Sequence, residues 1–395
     1  MTISFNLQNL DGLRNKSTAI HEVPVRSPVR IYNFLELFAK IRRVVLRRRA
    51  ERNFARGNNE SGVACLLAMG SGADAAAAFR LGECYEHGLG AVQNFVEAVF
   101  WFERAAERGS VPAMEKLGDI YLSGRIIPIS GRPVSASTAD QAMLGSNDLR
   151  PKGMSVPRDL AKALDRNTKA AEAGAPEAQA RLGFQYIAGL GIPEDHAMAH
   201  KWFLASAEQE CASGQFGMGI LSVGGLLGDA ETAKASAWFQ KAAAQGNANA
   251  KHSLALLLTD EGSDPVDWAR GARLFSELAA INQTEAMFHL GRLYQKGRGV
   301  VQNTRTAETW FRRAGTRGHV PSLLALARVL IEETSPPDYE SAGAILGQAA
   351  ELGDPHAQYA LAQLYAAGRG VPLDPEMAGA LFRKAEQALG VSLSS

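Results

Sequence analysis

A chain in which a leucine and a small residue return together every 36 residues is built to stack like units, each burying its apolar side on the next, and not to wrap one spherical core. The pairs are Leu81-Gly82, Leu117-Gly118, Leu182-Gly183, Met218-Gly219, Leu254-Ala255, Leu290-Gly291, Leu326-Ala327 and Leu361-Ala362. Most steps are 36 residues, the last is 35, and the step from Leu117 to Leu182 is 65, an excess of 29 that marks an insert. Eight units are expected.

Inside a unit the apolar spacing predicts two antiparallel helices. Ala286, Leu290 and Tyr294 recur at every fourth residue, and Ala307, Trp310, Phe311 and Ala314 at three and four, each set tracing one helical face. Between them lies Gly297-Arg298-Gly299-Val300, echoed at Gly88, Gly189 and Gly368, where a glycine can end a helix in the left-handed conformation. Gly82, Gly118, Gly183 and Gly291 fall in mid-helix, where glycine costs about 1 kcal/mol against alanine, so another helix must approach closely there. The pairs Trp101-Phe102, Trp202-Phe203, Trp238-Phe239 and Trp310-Phe311 supply the bulk that fills the space.

The two phrases resemble the Sel1-like repeat, a relative of the tetratricopeptide repeat, over about residues 73–388, most clearly in units one, three, six and eight. Unit two carries Arg166-Asn167 where the aromatic pair belongs, making its second helix the weakest expectation; units five and seven have Ala255 with Leu258 and Ala327 with Leu330, and lack the glycine loop. The resemblance implies an all-α, right-handed superhelical α/α solenoid of about eight helix–turn–helix repeats. It also implies a non-enzymatic adaptor that uses no cofactor and holds protein partners. Envelope or polysaccharide machinery at a membrane surface is one setting it suggests, and a regulatory, secreted or host-interaction role is another.

Net charge is only +1, but residues 1–60 hold 12 Lys/Arg against 5 Asp/Glu, so the excess positive charge sits at one end. It concentrates in residues 34–52. As a helix, Phe34, Leu37, Phe38, Ile41, Val44 and Val45 form a stripe, with Arg42, Arg43, Arg47, Arg48, Arg49 and Arg52 available to an acidic surface. Three readings stay open: a capping helix whose stripe packs on the first repeat, a helix on an anionic membrane or docking partner, and, less favoured, a nucleic-acid contact.

The expected organisation is a polar disordered arm at 1–30, a basic amphipathic helix and capping segment at 31–72, and the solenoid at 73–390 with a flexible insert at 126–157. The insert, rich in Pro, Ser and Gly, reads as a docking or regulatory loop or as a tolerated surface insertion. No stretch approaches the length of a membrane span or a secretory signal, and the three scattered cysteines, Cys65, Cys84 and Cys211, fit a reducing compartment. The expected location is the cytoplasm, with a peripheral place at the inner membrane as an option, and the expected state is a monomer or weak dimer. His196 and His200 with Glu194 and Asp195 have a spacing that can seat a metal, but the repeat implies no third ligand, exposed helix positions are the favoured reading, and no metal or nucleotide site is expected.

Partner binding is expected on the concave face made by the first helix of each unit, at positions flanking the small anchor. These are Phe79, Glu83, Glu86, Glu115, Asp119, Phe184, Gln215, Phe288, Arg292, Gln295 and Arg328, with Gln179, Ile187, Ile220, Val223, His252, Leu256 and Leu324 beside them. Such a groove would grade from acidic through apolar to mildly basic and fix the direction of a bound segment. Phe184, Ile187, Ile220 and Leu256 could equally belong to the core.

Overall fold

The computed structural model describes residues 28–69, 74–126, 155–226 and 231–390, with the side chains of its first helix described from Ala39 onward. Residues 1–27 and 127–154, holding the expected arm and most of the expected insert, lie outside them, as do the side chains of Phe34, Leu37 and Phe38. The chain divides into two compact units at Ser110/Val111. Unit 1 contains α1 (Pro28–Ala55), α2 (Asn59–Leu67), α3 (Ala75–His87) and α4 (Phe95–Glu107). Unit 2 opens with α5 (Val111–Ser123), the short strands β1 (Arg125–Ile126) and β2 (Ser155–Val156), α6 (Leu160–Glu172), α7 (Pro176–Ala188), α8 (His196–Glu208), α9 (Ala212–Gly224) and α10 (Thr232–Ala244). It continues through α11 (Ala248–Leu258), α12 (Pro265–Ala280), α13 (Thr284–Lys296), α14 (Thr304–Gly315), α15 (Val320–Glu332), α16 (Tyr339–Glu351), α17 (Pro355–Ala367) and α18 (Pro375–Leu389). From α3 onward the described helices form eight consecutive pairs, an all-α solenoid of repeats.

In units one, three, six and eight the hairpin is set by few residues. A helix-ending glycine in the left-handed region, such as Gly297 at φ +69°, turns the chain. The second glycine, Gly299, passes so close to the backbone of Trp268 in α12 that any side chain would collide with it. An Asx residue then starts the second helix: Asn303 accepts from the Thr306 amide through its side chain and donates its own amide to the Tyr294 carbonyl at 2.9 Å. The same closure joins Asn94 to Tyr85, Asp195 to Tyr186 and Asp374 to Tyr365.

Across the hairpin the mid-helix glycine and the buried phenylalanine fit as a pair. A Cβ on Gly291 would lie 2.6 Å from Cε1 of the fully buried Phe311, and one on Gly183 would lie 2.7 Å from Phe203. Phenylalanine, more than its tryptophan neighbour, fills the core: Phe102, Phe203, Phe275 and Phe311 have no exposure at all. Unit five keeps this feature despite Ala255, because Phe275 stands where Phe311 stands in unit six.

Unit two shows how the aromatic is replaced. Its second helix, α6, forms fully, with Asn167 completely buried against Gly118. The amide is satisfied: Asn167 Nδ2 donates to Gln185 Oε1 at 2.7 Å, and Arg181 donates to Asn167 Oδ1 at 3.2 Å. Two further buried amides follow the repeat: Gln209 donates to Gln179 Oε1 at 2.8 Å, and 36 residues on, Gln245 donates to Gln215 Oε1 at 2.9 Å. The insert is pinned at its base, where Arg125 pairs with Val156 and Ile126 with Ser155 in an antiparallel ladder. Neither strand was expected from the sequence.

Candidate partner-binding surfaces

The first helices of unit 2 carry a run of rings along one side. Phe184 packs on Phe203 at 4.7 Å and on Phe216 at 6.0 Å between centroids. Farther along, His252 and His289 lie 5.6 Å apart, Phe275 stacks on His289 at 5.0 Å, and Phe288 lies 5.3 Å from His319. A cleft of about 460 Å³ opens beside this run, lined by Phe216, Asn249, His252, Ser253, Thr284 and Glu285. A smaller one of about 190 Å³ is lined by Leu256, Phe275, His289, Arg292, Lys296 and Arg298.

Electrostatics distinguishes the parts of this face. Burial, with the charges of His252 and Arg292 nearby, pushes the His289 imidazole down to about 4, so it is neutral near pH 7, and burial lowers His252 as well. Glu285 contacts His319 at 3.1 Å, and Glu261 holds Arg298 at 3.4 Å. Arg292 is exposed, 5.9 Å over the Phe288 ring, and Arg328 is exposed on the next first helix; neither forms an ion pair among the described residues. The face is therefore aromatic and imidazole-lined, with two free guanidinium groups at one side.

The sequence-derived positions divide in three. Arg292 lies over the Phe288 ring and lines the smaller cleft with Leu256, and His252 lines the larger one. Gln295 is already engaged, donating to Glu333 at 2.5 Å. Glu86 and Gln215 are not surface residues: Glu86 is 1% exposed beneath a loop whose Gln93 donates to its carbonyl at 2.8 Å, and Gln215, 5% exposed, is the acceptor in the buried amide pair. Gln179 is buried for the same reason as Gln215. Glu83 is half-buried and paired with Arg80 at 2.8 Å, and Phe79 packs on Phe102 at 5.5 Å; both belong to unit 1. Glu115 and Asp119 are half-buried in α5, and burial raises the Glu115 carboxyl above its usual range, with Arg181 opposing. Phe184 is half-buried in the aromatic run.

Phe216, Asn249, Ser253, Glu285 and His289 were not singled out by the sequence. Phe216 was within reach, because Phe216, His252, Phe288 and Leu324 are spaced by 36 residues; choosing Gln215 slips that register by one. Asp195, a suspected metal ligand, is a helix cap that accepts from the Met198 amide at 2.9 Å. No group of three or more His, Cys, Asp or Glu with metal-binding geometry occurs among the described residues.

Helix α1 presents a second surface. The capping expectation had Ile41, Val44 and Val45 covered by the first repeat, but they are 52%, 52% and 55% exposed. The opposite side docks instead, with Ala50 at 0% and Phe54 pressed against Gly62 of α2. Arg47 pairs with Glu51 at 3.2 Å and Asp74 at 3.3 Å, and Arg43 is partly covered, its Nε donating to the Ala39 carbonyl at 3.2 Å. Arg42, Arg48, Arg49 and Arg52 stay exposed. No helix among the described residues is long and apolar enough to cross a membrane.

Known proteins are similar to this chain in sequence and fold. A protective antigen of uropathogenic Escherichia coli displaying an SLR fold superposes with a TM-score of 0.63 at 26% identity, covering 83% of this chain and 64% of its own. A Sel1 repeat protein of Oxalobacter formigenes gives 0.52 at 25% identity over 80% of this chain and 83% of its own. Chitin synthase regulatory factor 3 of Schizosaccharomyces pombe is 33% identical over 124 residues, 29% of this chain and 13% of that protein. The chain thus spans a small part of that curated relative. The Sel1 repeat matches residues 75–110, 176–211, 212–247, 284–319, 323–354 and 355–388, more than half of the sequence. With its glycine-closed hairpins, its Gly–Phe core pairs and these matches together, the chain belongs to the Sel1 repeat family.

Proposed function

We propose that this protein is a non-catalytic scaffold in the cytoplasm that captures a segment of a protein partner on the first-helix face of unit 2, centred on α11 and α13. The observation that carries the reading is the open cleft of about 460 Å³ between Phe216 and Glu285. Its walls offer an aromatic ring and a neutral-leaning imidazole for apolar side chains, and Asn249, Ser253 and Thr284 for backbone amides and carbonyls. A bound segment gains affinity from the rings and orientation from the polar groups. Arg292 and Arg328, exposed and without an ion pair among the described residues, suit carboxylates on the partner. The free thiols of Cys65, Cys84 and Cys211 are compatible with a reducing location.

The test is affinity capture of the tagged full-length protein from its native cells beside the double variant Arg292→Glu/Arg328→Glu. Both positions are exposed, so the fold should be kept, as circular dichroism can verify. Partners that are captured by the unaltered protein and lost from the variant support the reading. The same partners retained at the same yield by the variant would remove the first-helix face of unit 2 from consideration.

A further inference from the structure

The outward side of α1 is unusual in what it combines. At 3.6 residues per turn, Ile41, Val44, Val45, Arg48 and Arg52 share one side of the helix, with Arg42 and Arg49 along its edge, and Arg43, Leu46, Ala50 and Phe54 fall opposite, toward the protein. The exposures follow this division: Ile41, Val44 and Val45 stand half in solvent, whereas Ala50 has none. The acid on this stretch, Glu51, is taken by Arg47 at the seam, and Arg42, Arg48 and Arg49 form no ion pair among the described residues. Arg52 is turned back along the helix, its Nε donating to the Arg48 carbonyl at 3.2 Å, but remains exposed. Aliphatic side chains that could have packed on α2 are thus held in water among unpaired cations.

We propose that this side of α1 is a binding site for the surface of an anionic lipid bilayer. The helix lies flat, Ile41, Val44 and Val45 enter the boundary between headgroups and acyl chains, and Arg42, Arg48, Arg49 and Arg52 contact lipid phosphates. Apolar and cationic groups on one helix side are what interfacial binding requires. A polyphosphate backbone or an acidic protein surface would be served by the arginines but would leave the three aliphatic side chains in water, and this is what favours the bilayer. The inference uses unit 1 and stands independently of partner capture by unit 2.

Flotation of the full-length protein with vesicles tests it, using phosphatidylcholine alone and phosphatidylcholine mixed with phosphatidylglycerol. Binding is expected to the anionic vesicles, to weaken with added salt, and to be slight on phosphatidylcholine alone. Replacing Arg42, Arg48, Arg49 and Arg52 by Gln should lower the partition coefficient about fivefold for each arginine, the equivalent of about 1 kcal/mol apiece, and so several-hundred-fold together. A second variant, Ile41→Gln/Val44→Gln/Val45→Gln, keeps the arginines and should also lose binding, though less. Anionic-vesicle binding unchanged in the arginine variant overturns the proposal. So does full retention by the aliphatic variant, or no vesicle binding at all together with tight binding to duplex DNA or an acidic polypeptide, which would reassign the surface to that polyanion.

Discussion

Substituting Gly291 by alanine sets two effects of opposite sign against each other. In an isolated helix the change stabilises by about 1 kcal/mol, since glycine loses more backbone freedom on folding. In α13 the new Cβ would lie 2.6 Å from Cε1 of Phe311, 2.8 Å from Cδ1 and 3.1 Å from Cζ. That ring is fully buried and rigidly packed, so it cannot yield as a flexible surface side chain would. Overpacking of this kind costs about 1–3 kcal/mol, and the net expectation is a loss of about 1 kcal/mol. Removing the ring reverses the sign. Phe311→Ala alone should cost about 3–5 kcal/mol, but adding Gly291→Ala to it should restore up to about 1 kcal/mol, because only the propensity gain remains. The coupling in this double-mutant cycle is then about 2 kcal/mol. Because repeat arrays can unfold in segments, the readout should be local: native-state hydrogen exchange of peptides spanning 284–315, monitored by mass spectrometry. If Gly291→Ala slows exchange in the otherwise unaltered protein, or the coupling is near zero, glycine is not there to admit the ring.

Asn167→Ala leaves the buried Gln185 Oε1 without its donor and removes one of the Arg181 contacts, and should destabilise α6 and α7 by about 2–3 kcal/mol, seen as faster exchange of peptides from 160–188. Asn303→Ala removes the side-chain cap of α14 and should cost about 1 kcal/mol in urea denaturation; an unchanged midpoint would show that the Tyr294 closure alone suffices. His289 should make stability fall with acidification. Its folded value of about 4 lies below the ordinary 6.5, so the stabilisation is complete above 6.5 and is lost as pH falls toward 4, because the unfolded chain takes up the proton first. Allowing for partial exposure, the loss should be about 1–2 kcal/mol and should vanish in His289→Gln; equal pH slopes for the two proteins would contradict the burial argument.

The 36-residue spacing made the helix pairs, the loops and the Gly–Phe contacts legible, because each repeats and each is local to a hairpin. What escaped was whatever departs from the repeat or depends on docking. Asn167 looks like a defect in sequence, since nothing in unit two reveals that Gln185 and Arg181 of the next repeat will meet it. The orientation of α1 is likewise invisible. Its aliphatic stripe suggests the inward face, but the close approach of Phe54 to Gly62 and the small Ala50 decide which side docks, and these are two contacts among many apolar candidates. Glu86 failed because a helix position near the inner face can still be covered by a loop, and Gln215 because it lies one residue off the register of Phe216, His252 and Phe288 and meets an amide from the neighbouring helix instead.

The polar contact beneath Gly118 also bears on how a chain of like units avoids assembling out of order. Second helices carrying a buried phenylalanine are close to interchangeable, and a misdocked array that skips a unit would bury nearly the same apolar surface. Asn167 is not interchangeable. It needs a hydrogen-bonding group at the position two after the next anchor, and that place is taken by Gln185 in unit three but by Cys84, Ile120, Leu221, Leu257, Leu293, Val329 and Leu364 in the others. Docked on any of those, its Nδ2 would lose the acceptor that Gln185 supplies, at about 1–3 kcal/mol. The contact therefore works as a key cut for one lock, fixing which unit follows unit two. The paired exchange Asn167→Leu/Gln185→Leu should leave the array stable and release that constraint, which refolding yield would reveal as an increase in misassembled, aggregation-prone species.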